Sequence, residues 1–267
     1  MSPPKDLERF SALVDIIAHL RGPDGCPWDR KQTHRSLREG LLEECYEVLE
    51  ALDEADNGRL CVELGDLLMQ IVFHARVAEE AGEFELADVI HGINAKLIRR
   101  HPHVFGDVEA GDANQVLANW EALKKKERAE DASMLSSVPP DMPALAYSQE
   151  VQARVARVGF DWDEDEGVIE KLAEEVRELG QAENREEMEA EYGDILFTLA
   201  NIARRQGIDL EAALRRGNRR FYGRFAAMEE LCRKRGLSFD KLSFEQQNAL
   251  WKEAKEKIKQ SGRGERI

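Results

Sequence analysis

Two sets of carboxylates recur in this chain with the same internal spacing. Glu43-Glu44-x-x-Glu47 is followed by Glu63-x-Gly65-Asp66, and Glu174-Glu175-x-x-Glu178 is followed by Glu191-x-Gly193-Asp194. On a helix, acids three residues apart share one face. Facing pairs from two helices would make a cluster of Glu44, Glu47, Glu63 and Asp66, and a second of Glu175, Glu178, Glu191 and Asp194. Two like charges about 4 Å apart repel by roughly 4 kcal/mol at an effective dielectric near 20. Four together must take up protons or hold cations. An oxygen-only donor set suits hard divalent ions, Mg²⁺ first and Mn²⁺ as the alternative.

Other metal chemistries fit the spacing less well. Di-iron bundles pair Glu with a His three residues on, and neither set does so. There is no His-Glu-x-x-His for zinc, His101-x-His103 reads as a turn contact around Pro102, and no Gly-x-x-x-x-Gly-Lys phosphate loop occurs. Mg²⁺ commonly bridges protein carboxylates to substrate phosphates. The remaining phosphate oxygens need positive side chains: Lys96 and Arg100, or Arg220 and Arg224, lie four apart on one helix face, and Lys124 and Lys255 follow Trp120 and Trp251 by one turn. Each Trp reads either as a stacking surface for a base or as a core anchor with a solvated neighbour.

The elements that must position these groups are helices. Leu7, Phe10, Val14 and Ile17, and again Leu41, Cys45, Val48 and Leu52, recur at steps of three and four, while strand signals are nearly absent. About Leu60 to Ala78 the sequence is apolar nearly all round, which predicts a buried central helix. Glu63, Asp66, Gln70 and His74 form one polar stripe along it, and Glu191, Asp194, Thr198 and Asn201 repeat that stripe. On the preceding helices, Leu41, Cys45, Val48 and Leu52, and Leu172, Val176 and Leu179, define the core side. Glu44 with Glu47 and Glu175 with Glu178 then border the core, whereas Glu43, Glu50 and Glu54 face solvent.

The acid sets belong to a wider duplication. Trp28-Asp29, the two acid motifs, Asn94-x-Lys96 and Trp120-x-x-x-Lys124 all recur in order, at offsets of 134, 131, 128, 124 and 131. The predicted architecture is all-α, a tandem pair of four-helix bundles: residues 1–130, a linker at 131–143 containing three prolines in five residues, and residues 144–267. All six histidines lie in the first half, so chemistry shared by both halves does not use His.

The 267-residue chain has 53 acidic and 38 basic residues, a net charge of −15. Such a surface opposes general binding to nucleic acids or anionic membranes, and no run approaches a membrane span. Four cysteines without a C-x-x-C pattern predict a reducing, cytoplasmic setting.

Glu-Glu-x-x-Glu followed by Glu-x-x-Asp resembles the signature of the MazG-type nucleoside triphosphate pyrophosphohydrolases. Gly25-Cys26-Pro27-Trp28-Asp29 with Gln32-Thr33-His34 resembles the opening of the two-domain members, and Arg99-Arg100-His101-Pro102-His103-Val104-Phe105-Gly106 the close of their first domain. The resemblance implies Mg²⁺-dependent hydrolysis of nucleoside triphosphates to monophosphate and pyrophosphate, in a homodimer that clears the nucleotide pool. It implies that the eight clustered acids are metal ligands, with one carboxylate of each set, or Glu43 or Glu174, orienting the attacking water. It implies that Arg220, Arg224 and Lys255, matched by Lys96, Arg100 and Lys124, neutralise the phosphates, and that Asn201 faces sugar or base. The second half is expected to be the main site, because the first has Phe73 where the second has Asn201. Two rival readings stay open: a metal-stiffened helical binding module, and a phosphohydrolase that removes only the γ-phosphate.

Overall fold

The computed structural model describes residues 4, 6–108 and 133–260, and between the last two ranges residues 111, 112, 115, 116, 119, 120 and 123. Every regular element among them is helical. The chain divides into two compact units, Met1–Ala129 and Glu130–Ile267, each described on its own.

The first unit contains α1 (Phe10–Arg21), α2 (His34–Asp53), α3 (Asn57–Ala81), α4 (Leu86–Arg100) and the short α5 (Pro102–Phe105). Thr33 caps α2 by accepting from Ser36 N, and Asp56 caps α3 by accepting from Arg59 N. Only Glu54, Ala55 and Asp56 join these two helices, with Ala55 at φ 52°, so they fold back as antiparallel neighbours. Ile17, Leu37, Val72 and Phe73 bring α1, α2 and α3 together in one core. Phe73, at 3% exposure, is part of that core and carries the Arg21 guanidinium over its ring at 5.3 Å.

The second unit contains α6 (Ala144–Ala156), α7 (Asp165–Leu179), α8 (Arg185–Arg205), α9 (Leu210–Arg235) and α10 (Phe244–Gln260). Here α7 and α8 form the antiparallel hairpin, with Asn184 capping α8. From α6, Gln152 donates to Phe197 O on α8, and Gln149 binds Ile208 O and Leu210 N at the entry to α9. Met228, Leu231, Cys232, Leu250 and Ala254 lock α9 to α10. Part of the segment expected as linker is packed in this unit: Val138 is buried, and Arg154 donates to Met134 O and Ser137 Oγ.

The expectation of a central helix buried all round needs correction. On α3 the buried side chains include Glu63 and Gln70, whereas Val62, Leu64, Leu68 and Ile71 are 39–61% exposed. On α2 Leu52, and on α7 Val176, expected in the core, are more than half exposed. Each hairpin turns its polar stripe inward toward its own partner helix and leaves part of its apolar surface open, because the helices of one unit are too few to enclose it.

Candidate metal and nucleotide site

In the first hairpin the acids meet because of where the turn lies. Glu44 is nine residues before the end of α2 and Asp66 nine residues after the start of α3, so both stand roughly 13–14 Å from the connection. Carboxylate oxygens of Glu44, Glu63 and Asp66 lie within 4.8 Å of one another. Glu47 is outside that trio but hydrogen-bonds Glu63, and the Glu63 charge is the main cause raising its pKa. Glu44 is raised chiefly by burial, then by Asp66, and eased by a hydrogen bond from Gln70. That amide fits because residue 40 is glycine: a Cβ there would stand 3.1 Å from Gln70 Nε2.

In the second hairpin the converging trio is Glu175, Glu178 and Glu191, again within 4.8 Å. Glu175 is buried and Glu178 exposed. Asp194 stands outside the trio and is exposed, acting on Glu191 through its charge. Glu191 is pushed up mainly by burial and then by Glu178 and Glu175, and its Oε2 is buried with no hydrogen-bond partner among the described residues. Of each expected quartet, three members converge and the fourth is an electrostatic neighbour.

Sequence reasoning missed two cations. Lys171, one turn before Glu175, reaches Glu174 Oε1 and Glu175 Oε1 at 2.9 Å each and holds the Glu175 pKa down. Arg59, one turn before Glu63, binds Glu63 Oε1 at 3.1 Å, Glu54 Oε2 at 3.1 Å and Glu50 Oε2 at 2.6 Å. Glu50 and Glu54, expected to be solvated, are thereby paired. A cation at i−4 of a motif acid was the signal available in the sequence.

The remaining site residues are placed as follows. Arg100 lies over the Trp120 ring at 5.5 Å, and Arg224 over the Trp251 ring at 5.8 Å. The cation beside each tryptophan is thus the arginine of the preceding motif. Trp251 also packs on Phe221 at 5.3 Å. Lys96, Arg220 and Lys255 are exposed, and Lys124 lies outside the described residues. Asn201 Oδ1 accepts from Arg204 Nη2 at 2.9 Å, and Asp161 holds the same arginine nitrogen at 2.7 Å. His101 is structural, with Nδ1 2.7 Å from Leu97 O and its ring edge-on to Trp120.

This geometry occurs in a recognisable setting. The model of the MazG nucleotide pyrophosphohydrolase domain matches residues 32–105 and again 164–225. The chain belongs to the MazG family. MazG domains therefore account for both hairpins and for the arginines that follow them, and as a member of that family the protein is a nucleotide pyrophosphohydrolase. It is 46% identical over 247 residues to the nucleoside triphosphate pyrophosphohydrolase/pyrophosphatase MazG of Thermotoga maritima, covering 92% of this chain and 95% of that one. It is 40% identical over 257 residues to the nucleoside triphosphate pyrophosphohydrolase of Escherichia coli K12, covering 93% and 98%. The uncharacterized protein YabN of Bacillus subtilis matches 94% of this chain at 46% identity, within 53% of its own length.

Proposed function

We propose that this MazG-family chain hydrolyses nucleoside triphosphates to the monophosphate and pyrophosphate, using Mg²⁺ held by its clustered acids. The observation that carries the reading is the convergence of three carboxylates in each hairpin, with Glu191 Oε2 buried and, among the described residues, lacking a donor. A buried carboxylate oxygen without a donor is costly, and an all-oxygen donor set matches a hard divalent ion. The residues present therefore fit the metal: Glu44, Glu63 and Asp66 with Glu47 in one unit, and Glu175, Glu178 and Glu191 with Asp194 in the other. When bound, such an ion lowers the pKa of a coordinated water and offsets charge on the phosphate oxygens.

The chain's own groups do the rest. Glu43 or Glu174, or one carboxylate of the cluster, orients the water for attack. Arg100 and Arg224, steadied over their tryptophans, meet the phosphate chain together with Lys96, Arg220, Lys124 and Lys255. Lys171, held by Glu174 and Glu175, is the ammonium of the second cluster and would be released to meet solvent or a phosphate oxygen were those acids to hold a metal instead. Asn201, its oxygen engaged by Arg204, offers its amide nitrogen to sugar or base. The second unit is the main site in this reading, because it holds both Asn201 and Lys171, where the first has Phe73 and Gly40.

A homodimer completes the site. The open apolar surface of α2 and α3, and an α4 without a single buried residue, support the pairing of each hairpin with its copy. A pool-clearing role in a cytoplasm-like compartment accords with four free cysteines, and among the described residues no helix is long and apolar enough to cross a membrane.

Product analysis tests the reaction. ATP or dGTP with Mg²⁺ should give the monophosphate and pyrophosphate, and nothing once EDTA is added. Release of diphosphate and orthophosphate would establish γ-phosphate removal instead, and no turnover with any triphosphate would favour a binding module.

A further inference from the structure

The two acid clusters differ in what already neutralises them. In α3 the residue four before Glu63 is Arg59, and in α8 the residue four before Glu191 is Glu187. Arg59 commits Nε to Glu63, Nη1 to Glu54 and Nη2 to Glu50, and Glu63 keeps a side-chain exposure of 12%. Glu187 is turned the other way. Its Oε2 accepts from Glu183 N and its Oε1 from Asn184 Nδ2, both at 2.8 Å, in the cap of its own helix. Among the described residues none hydrogen-bonds Glu191 Oε2. The cation of the second cluster is Lys171, on the opposite helix, and it touches Glu175 and Glu174.

Resting on the reading that these acids hold a divalent metal, we propose that Arg59 is a built-in competitor for that metal, making the first cluster the weaker of the two metal sites. A guanidinium fork fixed by three carboxylates at once is a planar, directional counter-ion that cannot leave one partner without straining the others. A divalent ion approaching Glu63 must displace the Nε bond or accept a positive charge beside it. Lys171 is a single ammonium on a flexible stem, 36% exposed, and swings into water at little cost. Glu191 presents a free oxygen that asks for a cation; Glu63 presents one already taken.

The test is Mn²⁺ binding to the full-length protein without nucleotide, followed by the electron paramagnetic resonance signal of the free ion. Wild type should show two classes of site. Glu191→Gln should remove the tighter class and Glu63→Gln the weaker. Arg59→Gln should tighten the weaker class by about tenfold or more, the effect of removing a neighbouring charge in a partly screened site. Glu187→Arg, which puts an arginine four residues before Glu191 as Arg59 stands before Glu63, should weaken the tighter class. It decides alone if circular dichroism shows that Arg59→Gln does not fold. Equal affinities at both clusters, or folded Arg59→Gln protein with an unchanged or weaker first site, would overturn the proposal. Absence of Mn²⁺ from both clusters would instead remove the metal reading beneath it.

Discussion

His34 and His74 meet edge to edge, Nδ1 to Nδ1, at 2.8 Å. Their ring planes differ by 3° and their centroids are 5.1 Å apart, so the rings share a plane and a hydrogen bond joins α2 to α3. One Nδ1 must donate and the other accept. His34 Nε2 lies 3.8 Å from Glu83 Oε2, while His74 Nε2 is buried without a hydrogen-bond partner among the described residues. The tautomers that suit these surroundings place a proton on His34 Nε2, facing Glu83, and have His74 donate from Nδ1. Two imidazolium rings cannot keep this contact, because both Nδ1 atoms would then be donors.

The pair makes stability depend on pH. Burial, and then the neighbouring His34, holds the His74 pKa below its ordinary 6.5. Below that value the unfolded chain binds the proton more readily than the folded one. The contribution is therefore fully present above about pH 6.5 and is lost as acidification proceeds through the lower folded pKa. Imidazole NMR should show His74 titrating below the free-histidine range. Urea unfolding should show the first unit weakening from about pH 6.5 downward, and His74→Gln should flatten that dependence.

Phe73 tests the core that carries the first hairpin. It is 3% exposed, packs with Ile17, Leu37 and Val72, and lies under Arg21. Phe73→Ala should cost about 3–5 kcal/mol in denaturant unfolding of the first unit. Phe73→Asn, which copies the second unit, should cost at least as much, since it adds an unsatisfied amide to a cavity.

Divalent ions should stabilise the fold as well as enable turnover. An ion at about 100 times its dissociation constant stabilises the state that binds it by about 2.7 kcal/mol. Calorimetry should record a rise in melting temperature with MgCl₂, and Glu191→Gln should lose the part that belongs to the second unit.

The arginine and tryptophan pairs should act on binding more than on chemistry. Trp251 is half-buried between Phe221 and Arg224. Trp251→Phe keeps an apolar ring against Phe221 but offers Arg224 a weaker surface. Steady-state kinetics should show a higher KM for triphosphates with kcat largely retained. An equal loss in kcat would place Trp251 at the reacting atoms.

The duplication, the helical class and the acid pairs were legible because helical spacing is local: residues three and four apart share a face whatever surrounds them. The offset between repeats falls from 131 at Glu47 and Glu178 to 128 at Glu63 and Glu191. In the structure that drift is a longer helix before the turn: α2 runs six residues beyond Glu47 to Asp53, whereas α7 ends one residue after Glu178, and the extension brings Glu50 and the following Glu54 to Arg59. What was not legible depends on the partner across the hairpin. Val62 and Val176 read as core by hydropathy, yet each is more than half exposed, since burial depends on how many helices are present to cover them. The direction of Glu187, toward its own cap, depends on a short loop whose geometry no periodicity encodes.

Turnover of full-length protein carrying Glu47→Gln and Glu178→Gln together measures the central claim most directly. Each change removes one charge from a cluster and keeps the side-chain volume. The account predicts that Mg²⁺-dependent pyrophosphate release falls by more than about a hundredfold, beyond the loss typical of a merely supporting residue, with the melting temperature of the metal-free protein preserved. Pyrophosphate release near the wild-type rate from that folded variant would contradict it.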